Sequence, residues 1–209
     1  MDSFTQLIIT GIHQVPQAFQ IFVIFLFSYA EGLPIIGSIL PGGTIALLAG
    51  SLSASGIFTP ISAVLCIALG SFLGDMTGFL LGKKFKQNKF LLRITSHEKY
   101  QKSWDMFDRH IAIITIFGKL LPVVRSTPSI FAAVRGVRTR KYMLYSFLGS
   151  ILWSFAGVFA GNILTKYIGD KAIVVILIIL VGSFIVVIGK SYIKKLKQRK
   201  TKSVSNNNE

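Results

Sequence analysis

Glu31-Gly32-Leu33-Pro34-Ile35-Ile36-Gly37-Ser38-Ile39-Leu40-Pro41-Gly42-Gly43 is the stretch that decides what kind of chain this is. Its two prolines and four glycines break any straight helix, yet it carries one charge and is too apolar for an aqueous loop. Irregular backbone of this kind is tolerated at membrane depth where protein buries it or where it lines a wet cavity. The expectation is a re-entrant hairpin turning near Pro41, Gly42 and Gly43, with Pro34 as an earlier breaker. A second stretch has the same character. Phe117-Gly118-Lys119-Leu120-Leu121-Pro122-Val123-Val124-Arg125-Ser126-Thr127-Pro128 lies inside an apolar run over 111–134, with Pro122 and Pro128 as its breakers.

Outward from these stretches lie longer apolar runs. Residues 60–82 and 142–165 are each long enough to cross a hydrocarbon core at about 1.5 Å per residue. Residues 173–190 read as a last span, and residues 17–30 fall short of the roughly 20 residues a span needs. Residues 1–14 read as an interfacial segment, and 83–110 as an amphipathic cytoplasmic connection. Residues 191–209 read as a basic cytoplasmic tail, so 15–190 form a single membrane domain.

Composition agrees. Of 209 residues, 52% are hydrophobic and 15% charged, with a mean hydropathy of +0.62. Soluble domains carry about 25% charged residues. A disulfide scaffold is excluded by one cysteine, Cys66, inside an apolar run. The net charge of +15 first suggests nucleic acid, but its distribution argues against that partner. The first 82 residues contain no Lys or Arg. Nineteen of the 23 basic residues fall in 83–110, 135–141 and 190–202, between or after apolar segments. Cytoplasmic loops retain Lys and Arg in this way, which puts the C-terminus in the cytoplasm. The N-terminus lacks the basic start of a signal peptide.

The chain also repeats itself. Gly70-Ser71-Phe72-Leu73, then Gly78 and Gly82, matches Gly149-Ser150-Ile151-Leu152, then Gly157 and Gly161, at an offset of 79 throughout. Trp153 stands where Gly74 stood. The basic clusters give the two copies opposite directions, the signature of inverted-topology repeats. The repeat halves are 31–82 and 111–165, and their hairpins are expected to face each other. The fold class is therefore all-α and polytopic, an inverted repeat with two re-entrant hairpins flanked by spanning helices. The glycine stripe at 70, 74, 78 and 82 reads as ordinary close helix packing.

Four ionisable residues sit in these segments: Glu31, Asp75, Lys119 and Arg125. Each is costly in lipid and needs a partner or water. If the hairpin tips meet, Glu31 faces Lys119 and Arg125, one acid against two bases. The excess positive charge would suit an anionic headgroup, with Arg as the better phosphate fork. Glu31 would then be a counter-ion or proton carrier, and Asp75 a second candidate for ion coupling. Simpler readings stay open: Glu31 as a helix-end carboxylate, Lys119 snorkelling to the surface, Asp75 pairing with a neighbouring helix. His13, His97 and His110 show no metal-ligand spacing, so no metal or cofactor is expected.

The ordered set of Glu31, Pro34, Leu40-Pro41-Gly42, Gly74-Asp75, Gly78, Gly82, Phe117-Gly118-Lys119, Pro122, Arg125, Pro128, Gly136, Phe147 and Trp153 resembles the DedA membrane-protein family, also called the SNARE-associated or VTT-domain family. The resemblance covers about residues 20–165. It implies a bacterial inner-membrane protein of membrane homeostasis that moves lipid, a polyprenyl phosphate or a phospholipid, coupled in some members to a cation gradient. Membrane lipids, a proton or sodium ion and a second copy of the chain are the implied partners. The family's first acid lands on Glu31. Its second lands on Gly43 and is absent. Its two arginines land on Lys119, which keeps charge but loses the fork, and on Arg125, which is retained. Two alternatives accompany the lipid transporter: an ion-coupled carrier of a small solute, and a non-transporting scaffold. An enzyme is not expected, because no nucleophile, acid–base or metal constellation is present.

Overall fold

The described parts of the apolar runs fold as helices. In order they are α1 (Gln17–Gly32), α2 (Thr44–Ala54), α3 (Pro60–Lys84), α4 (Gln101–Phe117), α5 (Thr127–Val134) and α6 (Thr139–Ile168). A 3-10 turn, Gly118–Leu120, follows α4, and residues 171–179 form α7. This computed structural model describes residues 10–12, 14–34, 36–37, 43–85, 101–120, 125, 127–169, 171–179 and 181–182. Among these there is no strand. Pro41, Gly42 and Pro122 lie outside the described residues, as do most of the interfacial segment, the middle of the cytoplasmic connection and the basic tail.

The two long helices start and run as their sequences dictate. Thr59 caps α3 by accepting the Ser62 N–H at 3.2 Å, with Pro60 in the first turn where its missing N–H costs nothing. At 25 and 30 residues, α3 and α6 are long and apolar enough to cross a membrane. Helix α1 has only 16 residues and ends where Leu33, the residue before Pro34, takes extended backbone. Helix α4 is kinked at His110, where the basic connection gives way to the apolar run.

The two long helices carry apolar outer faces and polar residues on their inner ones. Ile61, Leu65, Leu69, Leu73 and Leu80 line an exposed stripe on α3, while Ser71 and Asp75 are buried on its opposite face. On α6, Leu144, Leu148, Ile151 and Phe155 are exposed, while Ser146, Ser150 and Ser154 are wholly buried. Soluble proteins rarely expose contiguous apolar surface on this scale. Apolar faces as long as whole helices match a lipid solvent.

Small residues set how the helices meet. A Cβ added at Gly74 would lie 2.8 Å from Gly32 Cα, so α1 and α3 touch backbone to backbone there. Hydrogen bonds from Ser28 Oγ to the Ile67 carbonyl (2.9 Å) and between Tyr29 and Thr77 (3.1 Å) flank that contact. Gly50 faces the Val158 carbonyl and Gly161 the Leu47 carbonyl, with no room for a side chain at either. Ser51 Oγ donates to the Gly161 carbonyl at 3.2 Å in the same seam. The short helices thus dock crosswise: α2 lies along α6, and α5 along α3. The long helices join through Phe79 and Tyr142, stacked at 4.5 Å.

Candidate functional site

The four membrane-depth charges converge as two buried ion pairs. Arg125 Nη1 lies 2.7 Å from Glu31 Oε2, and Lys119 Nζ lies 2.5 Å from Asp75 Oδ2. None of the four side chains is more than 4% exposed. The two cations are close enough to repel one another. The two acids flank one helix contact, because Glu31-Gly32 packs directly on Gly74-Asp75. The expectation of one acid facing two bases is therefore corrected: Asp75 takes Lys119, and the centre balances at zero. Lys119 is wholly buried rather than snorkelled, and Glu31 is buried rather than at an exposed helix end.

The two pairs are built differently. Asp75 and Lys119 are saturated with hydroxyls. Ser146 Oγ donates to Asp75 Oδ2 at 2.6 Å, and Lys119 donates to Ser71 Oγ at 3.3 Å and to Ser150 Oγ. Tyr142 adjoins this cluster through Ser146 and Ser129. Among the described residues the charge partner of the Arg125 guanidinium is the Glu31 carboxylate, reached through Nη1. The guanidinium also lies against the face of Trp153, 4.6 Å from the ring centroid. Guanidinium groups favour such faces.

Gly43 completes the Arg125 side. It caps α2 in a left-handed conformation, φ 91°. A Cβ there would press on the Trp153 ring at 2.9 Å. In this packing the ring leaves little room for a side chain at position 43. Pro34 packs on Gly78, and the buried Pro128 opens α5.

The sequence singled out all four charges, but four participants gained no role from it: Ser71, Ser146, Ser150 and Trp153. A signal existed. Ser146, Ser150 and Ser154 recur every fourth residue along an otherwise apolar helix, which marks one polar face. Among the described residues no three His, Cys, Asp or Glu side chains cluster as metal ligands.

A charged, hydroxyl-lined centre wrapped in apolar helix faces defines a helical integral membrane protein with an internal ionic site. Residues 40–163 match the VTT-domain family model. The chain belongs to that family, the DedA family of membrane proteins. It is similar to inner membrane protein YghB of Escherichia coli K12, 29% identical over 82% of this chain and 85% of that one. It also resembles protein DedA of the same organism, 22% identical over 68% of each chain. Inner membrane protein YabI is 26% identical over 68% of this chain and 59% of that one. No solved structure matches.

Proposed function

We propose that this protein is a lipid carrier of the bacterial inner membrane that moves an anionic headgroup past Arg125 while the tails stay in the bilayer. The observation that carries this is a buried guanidinium held, among the described residues, by one carboxylate and a ring face. A phosphate or phosphate ester offers the planar fork two acceptors at once. Lys119, freed from Asp75, would add a second positive charge. Glu31 must then release Arg125, and a proton taken up by its carboxylate keeps the centre near neutral, which couples transport to a proton gradient. Asp75 is a second carboxylate for such coupling. The role is that of a carrier rather than an enzyme, serving membrane homeostasis.

The architecture proposed for it is an inverted repeat with two re-entrant hairpins, and the C-terminus in the cytoplasm. Crosswise docking supports this, because each short helix packs on the long helix of the other half. Matched glycines at an offset of 79 and the segregation of basic clusters support it further.

A reconstituted flux assay tests the proposal, offering a polyprenyl phosphate and a phospholipid side by side with and without a pH gradient. Flux of one lipid that disappears in Arg125→Ala is the expected result. Full flux in Arg125→Ala overturns the role of Arg125. No lipid flux from folded protein favours the second reading, a coupled carrier of a small solute. The charge balance of two acids and two bases is the feature that suits this second reading, since a neutral centre has no intrinsic preference for anions.

A further inference from the structure

The Lys119 ammonium sits in a socket whose ligands would equally serve a free ion. Asp75 Oδ2 approaches Nζ at 2.5 Å and Ser71 Oγ at 3.3 Å, with Ser150 Oγ completing the set. All of these groups are buried. Ser71 and Ser150 are 79 residues apart and hold the same place in the two Gly-Ser motifs, one on α3 and one on α6. Ser150 also donates to the Ser146 carbonyl at 2.8 Å, so its lone pairs are turned toward Nζ. Lys119 belongs to neither long helix. It reaches the socket from the 3-10 turn after α4.

We propose that Asp75, Ser71 and Ser150 form a monovalent-cation site at the crossing of α3 and α6, which the chain fills from within using the Lys119 ammonium. Carboxylate and hydroxyl oxygens suit a hard monovalent ion. Sodium or a small ammonium ion takes the site when the lysine is absent. A cation there neutralises Asp75 and ties one hydroxyl from each long helix to a common centre, so it clamps the two helices together. The inference concerns ion binding alone and does not depend on what the protein transports.

The test is thermal unfolding of purified full-length protein in detergent near pH 8.5, where protons compete least for a carboxylate. Wild type, Lys119→Ala and Asp75→Asn/Lys119→Ala are compared in sodium chloride, methylammonium chloride and N-methylglucamine chloride at equal ionic strength. Lys119→Ala is expected to unfold earlier than wild type. Its midpoint should rise saturably, on the order of 5 °C, in sodium or methylammonium but not in the bulky cation. Wild type, whose site is filled, and the double variant, which lacks the carboxylate, should not respond. A folded Lys119→Ala insensitive to both sodium and methylammonium overturns the proposal. So does a Lys119→Ala protein that cannot be recovered in any of these ions while the double variant folds, because a vacated cation site should be refillable.

Discussion

Arg125 lies on the face of Trp153, its guanidinium carbon 4.6 Å from the ring centroid, with Glu31 against one of its nitrogens. The ring therefore supports the cation without consuming its hydrogen-bond donors. A desolvated cation–π contact contributes about 2 kcal/mol. Trp153→Leu should reduce lipid flux several-fold, and Trp153→Phe should lose less. Flux measured beside thermal midpoints separates the two effects, and equal flux in all three proteins would remove Trp153 from the site.

The Glu31–Arg125 pair makes a second prediction. Removing one partner of a buried pair leaves an unpaired charge and costs about 3–5 kcal/mol, whereas removing both is often far milder. Glu31→Gln should unfold earlier than Glu31→Gln/Arg125→Gln, and both should lose transport. Additive losses of stability in the double variant would show that the pair is not coupled.

Surface charge gives the contrast. Asp108 pairs with Arg135 where both side chains are more than a third exposed. Exposed pairs contribute roughly 0–1 kcal/mol. Asp108→Asn should leave flux unchanged and shift the unfolding midpoint little, by the same measurements.

An acid placed at position 43 should destabilise this chain. Gly43→Asp must adopt a left-handed backbone and displace the Trp153 ring. Overpacking of this kind costs about 1–3 kcal/mol. Combining it with Trp153→Ala should recover part of the lost stability, since the ring is the obstacle. Unchanged stability in Gly43→Asp alone would mean that the ring moves aside freely.

Close helix docking makes the last prediction. Gly50→Ala puts a methyl group into the Val158 carbonyl, whereas Gly11→Ala meets nothing within 4 Å. The first should cost about 1–3 kcal/mol and the second should stay within about 1 kcal/mol of wild type. Chemical denaturation of the two proteins is sufficient to compare them.

The long helices were legible because length and hydropathy act locally. The four charges were legible because lipid makes any ionisable residue conspicuous. Their partnership was not. Asp75 and Lys119 are 44 residues apart on different elements, and no local pattern says which base an acid will meet. Reading Glu31 against both bases followed from assuming that only the broken segments contribute to the centre. Asp75 lies mid-helix, and the Gly32–Gly74 contact brings it in. The serines were harder still, because a hydroxyl on an apolar helix can be satisfied by its own backbone, as Thr77 is by the Leu73 carbonyl at 2.9 Å.

The crosswise docking of α2 has a consequence for biosynthesis. Ser51 and Gly161, joined by a hydrogen bond, are 110 residues apart. At ribosomal speeds of about 5–20 residues per second, α2 is made roughly 5–20 s before the helix it rests on. During that interval an 11-residue helix, too short to span a bilayer, enters the membrane without its native neighbour. Ribosome pausing between the two halves would lengthen that exposure and should lower the yield of protein without altering a single contact in the finished fold.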